Sequence, residues 1–436
     1  MPCRVLTLNK ATGWDEALNL LSARNETAPD LEGAVKAIIA RVNAEGDAAL
    51  VDYARRFDCP NFELGCLRVD EQQLAMACSL VPEEDLGIIA EAAVNIRAFH
   101  EACLEKSWFN TKADGSILGQ AVRPVARAGL YVPGGQSGKT PLISSLLMTA
   151  LPALVAGVSE IAVVSPPNEY GGLNPYILAA ARLIGIKEIY AVGGPAAVAA
   201  LALGTESIRP VDVIAGPGNA YVTEAKRQLM GKVGIDMLAG PSEILIIADA
   251  GASPVMIAAD MLSQAEHDAR ASALLITDEP NLVPAVRKEL EKQLQDLPRA
   301  DIARASLRDF GAIIQVPNIP EACDLANAAA PEHLELLVGE PWAAMPLIHN
   351  AGAVFMGDYA AEVIGDYFAG PNHVLPTMRT ARFASALSVQ TFTKKISLIA
   401  TSPDYARTHA DKIARLARLE GLEAHARSVE TRKIKD

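Results

Sequence analysis

Short apolar runs recurring between Ala-rich helical stretches constrain this chain more than any other feature. Leu130–Val132, Ile161–Val164, Ile189–Val192 and Val211–Ile214 make a first set, and Ile244–Ile247, Ala273–Ile276 and Ala312–Gln315 a second. Most are continuous instead of alternating, the pattern of strands covered on both faces. Helical segments of roughly ten to fifteen residues separate them, which points to parallel sheets with crossover helices. The strands suffice for two such sheets. A chain of 436 residues agrees, since two or three domains are expected at that length.

Upstream, the first hundred or so residues read as helices. Leu31, Val35, Ile38, Ile39 and Val42 fall at helical spacing, as do Ile88, Ile89, Ala92, Ala93 and Ile96. Pro82 ahead of Glu83, Glu84 and Asp85 is a helix start with acidic groups at the positive end of the dipole. The strand pattern stops near residue 380, and residues 403–420 form an amphipathic, charge-rich helix before a short polar tail.

Bulk properties remove several function classes. With 50% hydrophobic and 21% charged residues the chain is not disordered. A net charge of −13 is the wrong sign for a phosphate backbone, so nucleic acid is not an expected partner. No run of roughly eighteen uncharged apolar residues occurs, and the most apolar stretch, residues 141–158, is broken by Ser, Thr and Pro. It reads as a buried helix, and no membrane partner is expected. The N-terminus lacks the regions of a secretory signal, and the 6 cysteines form no Cys-x-x-Cys pair. A cytoplasmic protein with free thiols is the expectation.

Among the motifs, Gly134-Gly135-Gln136-Ser137-Gly138-Lys139-Thr140 imitates a P-loop but is one residue short between its glycines, so a nucleotide hydrolase is disfavoured. Gly216-Pro217-Gly218-Asn219 follows a strand and precedes a helix, a turn that allows close backbone approach and offers amides to an anion. A tight turn without a ligand explains it equally well. Gln264 and His267 sit three apart at the end of a helix that starts at Ser253-Pro254, so they project together. An imidazole and an amide oxygen so placed can chelate a borderline metal, although a solvated helix end is the blander account. Adjacent Glu332 and His333 lie in an apolar segment, where burial would raise the carboxyl pKa and leave the imidazole near neutrality for acid–base work. A strand-start histidine bonded to backbone is the alternative. The Gly/Pro-punctuated stretch from Gly365 to Thr377 carries Asp366, Asn372 and His373. A rigid loop of that kind is where binding groups sit. Leu419 to His425 is a helix end with a Gly stop and a tail histidine.

Taken in order, these segments resemble the histidinol dehydrogenase family: Gly129 to Gly135, Ala215 to Lys226, Ala239 to Glu243, Ser263 to His267, Pro331 to Leu334, Gly365 to Thr377 and Leu419 to His425. The resemblance implies an α/β fold of two Rossmann-like parallel-sheet domains, one inserted in the other, with helical terminal segments used in dimerisation. Residues 1–25 would be an N-terminal helical arm, 26–129 and 244–381 a discontinuous catalytic domain, 130–243 the inserted NAD-binding domain, and 382–436 a helical dimerisation tail. It further implies zinc held by Gln264, His267, Asp366 and His425, with Glu332 and His333 as the acid–base pair. Ser242, His373 and Glu420 would touch substrate, as would Gln264, His267, His333, Asp366 and His425. Tyr131 and Asn219 would touch NAD. Ala196 stands where the family carries a further NAD-contacting glutamine, and Gln136–Lys139 lengthens the usual Gly-Gly loop. The implied reaction is the four-electron oxidation of L-histidinol to L-histidine with two NAD+, the last step of histidine biosynthesis. It would take place in a homodimer whose tails complete each other's sites. The competing readings are a related zinc- and NAD-dependent dehydrogenase of another diol or amino-alcohol, and a non-catalytic metal-binding protein. The second would have no need of the Glu332-His333 pair.

Overall fold

The apolar runs do become strands. The computed structural model describes residues 3–22, 24, 30–135 and 140–433. Its strands are β1 (Arg4–Thr7), β2 (Trp108–Thr111), β3 (Ile117–Pro124), β4 (Arg127–Tyr131), β5 (Glu160–Ser165), β6 (Glu188–Ala191) and β7 (Val213–Ala215). They continue with β8 (Gly234–Ile235), β9 (Glu243–Ala248), β10 (Ser272–Thr277), β11 (Ala312–Gln315), β12 (His333–Leu337), β13 (Ala353–Met356) and β14 (Thr393–Ala400). Every residue of β4, β9, β10 and β12 is buried, which accounts for their lack of alternation.

Two parallel sheets result. One runs β6-β5-β4-β7-β8 and the other β1-β11-β10-β9-β12-β13. Taken from its first strand, each has the doubly wound 3-2-1-4-5 order of a Rossmann-like unit, with reversal at β4/β7 in the first and β9/β12 in the second. The second sheet gains β1 at its edge, paired in parallel with β11 from Arg4 beside Ala312. A third sheet, β14-β3-β2, is antiparallel. Among the described residues, no helix is long and apolar enough to cross a membrane.

Three expectations need correction. The segment 1–25 is not simply a helical arm, because its Arg4–Thr7 is a sheet strand. A four-residue edge strand is too short to declare itself by periodicity. Second, helices Leu31–Glu45, Asp47–Phe57, Glu71–Leu80 and Glu83–Ala102 do not belong with the 244–381 sheet. Their buried faces share one continuous core with the β4–β8 sheet. Helical spacing shows that a face is buried, not against what. Third, the strand pattern does not stop near 380. β14 pairs with β3 over eight residues but is mostly exposed on this chain, so its composition carries little hydrophobic signal.

His100, on the inner face of the helix Glu83–Ala102, is completely buried and its Nδ1 has no hydrogen-bond partner among the described residues. Burial pushes its pKa down to about 4. A histidine whose folded pKa lies below its unfolded value contributes stability that is present above about pH 6.5 and lost as pH falls towards 4. His100→Gln is therefore expected to flatten the decline of the urea midpoint between pH 6.5 and 4. An unchanged slope in that window would refute the assignment.

Candidate active site

The second sheet brings Glu332 and His333, expected from the resemblance to be an acid–base pair, together with Gln264 and Asp366 at the amino ends of its strands. His333 opens β12 beside Ile244 of β9, and period-two alternation puts His333 and Glu335 on the same face. Leu334 and Leu336 fill the core on the opposite face. Nδ1 of His333 donates to the Glu243 carbonyl at 2.9 Å. That bond assigns the ring proton to Nδ1 and leaves Nε2 as a lone-pair acceptor, buried without a hydrogen-bond partner among the described residues, its nearest carboxylate oxygen being Glu362 Oε1 at 3.6 Å. The blander account of a strand-start histidine bonded to backbone is thus correct, and the same bond fixes the tautomer that acid–base work would need.

Glu332 is buried beside it, and its carboxylate accepts the Glu243 N–H at 2.9 Å. Burial and then the charge of Glu243 raise its pKa well above the usual carboxylate range. Burial, helped by nearby histidines, pushes His333 down to about 4, further than the near-neutral value the sequence led us to expect. His373 is also pushed down to about 4 by burial.

Asp366 lies on the short helix Glu362–Tyr367 one turn beyond Glu362, so both face the same way. Ligand atoms of His333, Glu362 and Asp366 all lie within 4.8 Å of one another. Asp260 and Gln264, likewise one turn apart, come from the helix Pro254–Ala265. Burial drives Glu335 up to about 9, Glu362 to about 8, and Asp260 and Asp366 to about 6. So many crowded acids favour a cation. Gln264 offers a further ligand atom, because its buried Oε1 has no hydrogen-bond partner among the described residues. A cavity of about 340 Å³ opens here, lined by His333, Phe355, Asp366, Asn372 and His373. Asn372 donates to the Met148 carbonyl at 2.5 Å, tying this loop to the helix Ile143–Ala156 of the inserted unit. His267, just past its helix, is exposed yet near enough to His333 and His373 for its charge to depress both. Ser242 is half-buried immediately before β9.

Glu420 and His425 are not part of this cluster. Both are exposed on the tail, and His425 lines a separate surface groove with Ser428 and Arg432. Tyr131 and Asn219 lie at the carboxyl ends of adjacent strands β4 and β7, the switch point where doubly wound sheets take their ligands. Each has a local task there: the Tyr131 hydroxyl accepts the Gly194 N–H at 3.1 Å, and Asn219 caps the helix Ala220–Leu229. The glycine turn between them is clamped. Gly216 N–H donates to Asp236 at 2.7 Å, its carbonyl accepts Lys226 Nζ at 2.5 Å, and those two side chains form a buried ion pair. With φ at 121° and a hypothetical Cβ colliding with the Tyr131 carbonyl, only glycine fits. Ala196 is buried in the helix Gly194–Leu203. The Gln136–Lys139 loop lies outside the described residues.

The family profile for histidinol dehydrogenase matches residues 21–433. This chain belongs to the histidinol dehydrogenase family. A relative so named from Oleidesulfovibrio alaskensis is 60% identical, the match covering 99% of this chain and 100% of the relative. One from Bacillus subtilis is 48% identical, covering 97% and 98%. The crystal structure of histidinol dehydrogenase from Elizabethkingia anophelis superposes with a TM-score of 0.92 at 37% identity, covering 98% of both chains. Membership of the family makes the chain an oxidoreductase.

Sequence reasoning passed over Glu335, Glu362 and Asp260 as site residues. Two of them were within reach: Glu335 is two strand residues from His333, and Glu362 is one helical turn from Asp366. Arg24 and the role of Glu243 left no local signal.

Proposed function

We propose that the protein oxidises L-histidinol to L-histidine through a bound aldehyde, using two NAD+ and one zinc per subunit, as the last step of histidine biosynthesis. The observation that carries this reading is the buried, neutral His333 on the cavity wall, whose Nε2 has no hydrogen-bond partner among the described residues while Nδ1 is pinned to backbone. A ring so fixed can take the substrate hydroxyl proton during the first oxidation and act again on the hydrated aldehyde in the second. Glu332, whose raised pKa makes it a stronger base once ionised, is suited to activating the water that hydrates the aldehyde.

Gln264, His267 and Asp366, joined by His425 from a second subunit, would hold zinc. When bound, that ion supplies an anchor orienting the substrate's imidazole and amine. The crowded acids and the unpartnered Gln264 oxygen fit such a cation. The β4/β7 switch point with Tyr131 and Asn219 would receive NAD+, which supplies the hydride acceptor for both oxidations. The cavity lies among residues of β12, β13 and the loop after them, with Asn372 of that loop tied to Met148 of the inserted unit, an enclosure suited to limiting loss of the aldehyde to water.

Dimer formation is part of the proposal. The tail exposes Leu416 and Leu419 at 63% and 69%, an apolar stripe suited to a second copy. Glu420 and His425 beside it would complete the partner's site, Glu420 holding the substrate ammonium. The decisive assay counts NADH formed per histidinol consumed. About two supports this reading. A ratio of one would indicate a simple alcohol dehydrogenase, and faster turnover of another diol would move the substrate elsewhere.

A further inference from the structure

Both proposed acid–base residues hang on one residue that has no chemical role of its own in that proposal. Glu243, the first residue of β9, is buried. Its N–H donates to the Glu332 carboxylate at 2.9 Å, and its own carboxylate accepts the Glu332 N–H at 3.3 Å. Its carbonyl accepts the His333 Nδ1 proton at 2.9 Å. The same carboxylate accepts the N–H of Met378, at 2.9 Å, from a loop residue held at φ 58°. A carboxylate in such surroundings requires a counter-charge, and Arg24 provides it from the far N-terminal end of the chain. The Arg24 side chain is fully buried and ion-paired with Glu243 through Nη2. Its Nη1 donates to the Ser242 carbonyl at 3.1 Å and its Nε to the Leu21 carbonyl at 3.3 Å.

The fork of the guanidinium thus holds the side chain of β9's first residue and the carbonyl of the residue just before it, and β9's first residue fixes the dyad. We propose that Glu243, held and neutralised by Arg24, is the positioning residue of the active site, setting the orientation of Glu332 and His333 together. The inference rests on the assignment of the chemistry to those two residues. A displacement of the dyad by about an ångström is the kind of error that costs on the order of 100-fold in turnover. Neither Arg24 nor Glu243 lines the cavity, so the loss belongs in kcat and not in substrate affinity.

The test uses the full-length, metal-loaded enzyme with Glu243→Gln, Arg24→Met, Arg24→Lys and Glu332→Gln. Arg127→Met is the control, because Arg127 is also a buried arginine, paired with Glu188 at the opposite end of the inserted sheet. Glu243→Gln and Arg24→Met should each lower kcat by about 100-fold, with KM for both substrates within about three-fold and zinc content unchanged. Arg24→Lys, which keeps the charge, should recover kcat to within about ten-fold of the parent. Arg127→Met should lower the melting temperature with kcat per folded molecule intact. The inference is overturned if Glu243→Gln retains parental kcat, or if its loss merely tracks the folded fraction as in the control. A fully active Glu332→Gln would instead overturn the assignment of the chemistry, so the two failures are distinguishable.

Discussion

His333→Asn is expected to lower turnover by about 10³-fold while leaving zinc content unchanged. The size follows from what the ring does in place. Its Nδ1 proton is committed to the Glu243 carbonyl, its Nε2 has no hydrogen-bond partner among the described residues, and burial keeps it neutral with a pKa of about 4. Asparagine retains a polar group of similar reach but has no nitrogen that can take and return a proton. Steady-state NADH production measures the loss, and elemental analysis of the same sample measures the metal. Surviving turnover would remove His333 from the chemistry. A parallel loss of zinc would assign it instead to the metal site, whose acids Glu362 and Asp366 lie within 4.8 Å of it.

The second large effect is a recovery. Glu332→Gln and His425→Asn should each be inactive alone, yet a mixture of the two should regain about a quarter of parental activity after subunit exchange. Glu332 is buried in the sheet, whereas His425 is exposed on the tail. If each site combines the core of one subunit with the tail of the other, a mixed dimer places both substitutions in one site and none in the other. Random exchange makes half the dimers mixed, and each of those has one intact site of two. Mass spectrometry on differently tagged subunits confirms exchange. Exchange without recovery would confine each site to one chain and end the shared-tail proposal.

What the sequence made legible follows the physics of each signal. Long apolar runs such as Ile244–Ile247 announced central strands, because a strand buried on both faces has no polar side to show. The helix Pro403–Leu419, with Ser402 as its cap, was equally plain from its periodicity and its Gly421 stop. β1, β2 and β14 were not, since they are short or exposed and owe their existence to partners distant in sequence. For the site, Gln264, His267, Glu332, His333 and Asp366 stood out as polar groups in apolar or rigid surroundings. The resemblance supplied their roles. The acids behind them and the Arg24–Glu243 pair belong to tertiary structure, where a lone arginine near the N-terminus finds a carboxylate 219 positions away.

That same closure dictates an order of assembly during synthesis. The core around the β4–β8 sheet, with the helices from Leu31 to Ala102, is built almost wholly from residues preceding β9. It can therefore gather while the ribosome is still translating the catalytic half. β1 must wait unpaired until β11 emerges, and Arg24 must wait for Glu243. A chain whose first strand is claimed so late keeps an open edge through most of its synthesis, and Glu332 and His333 become aligned only once the N-terminal Arg24 has met Glu243.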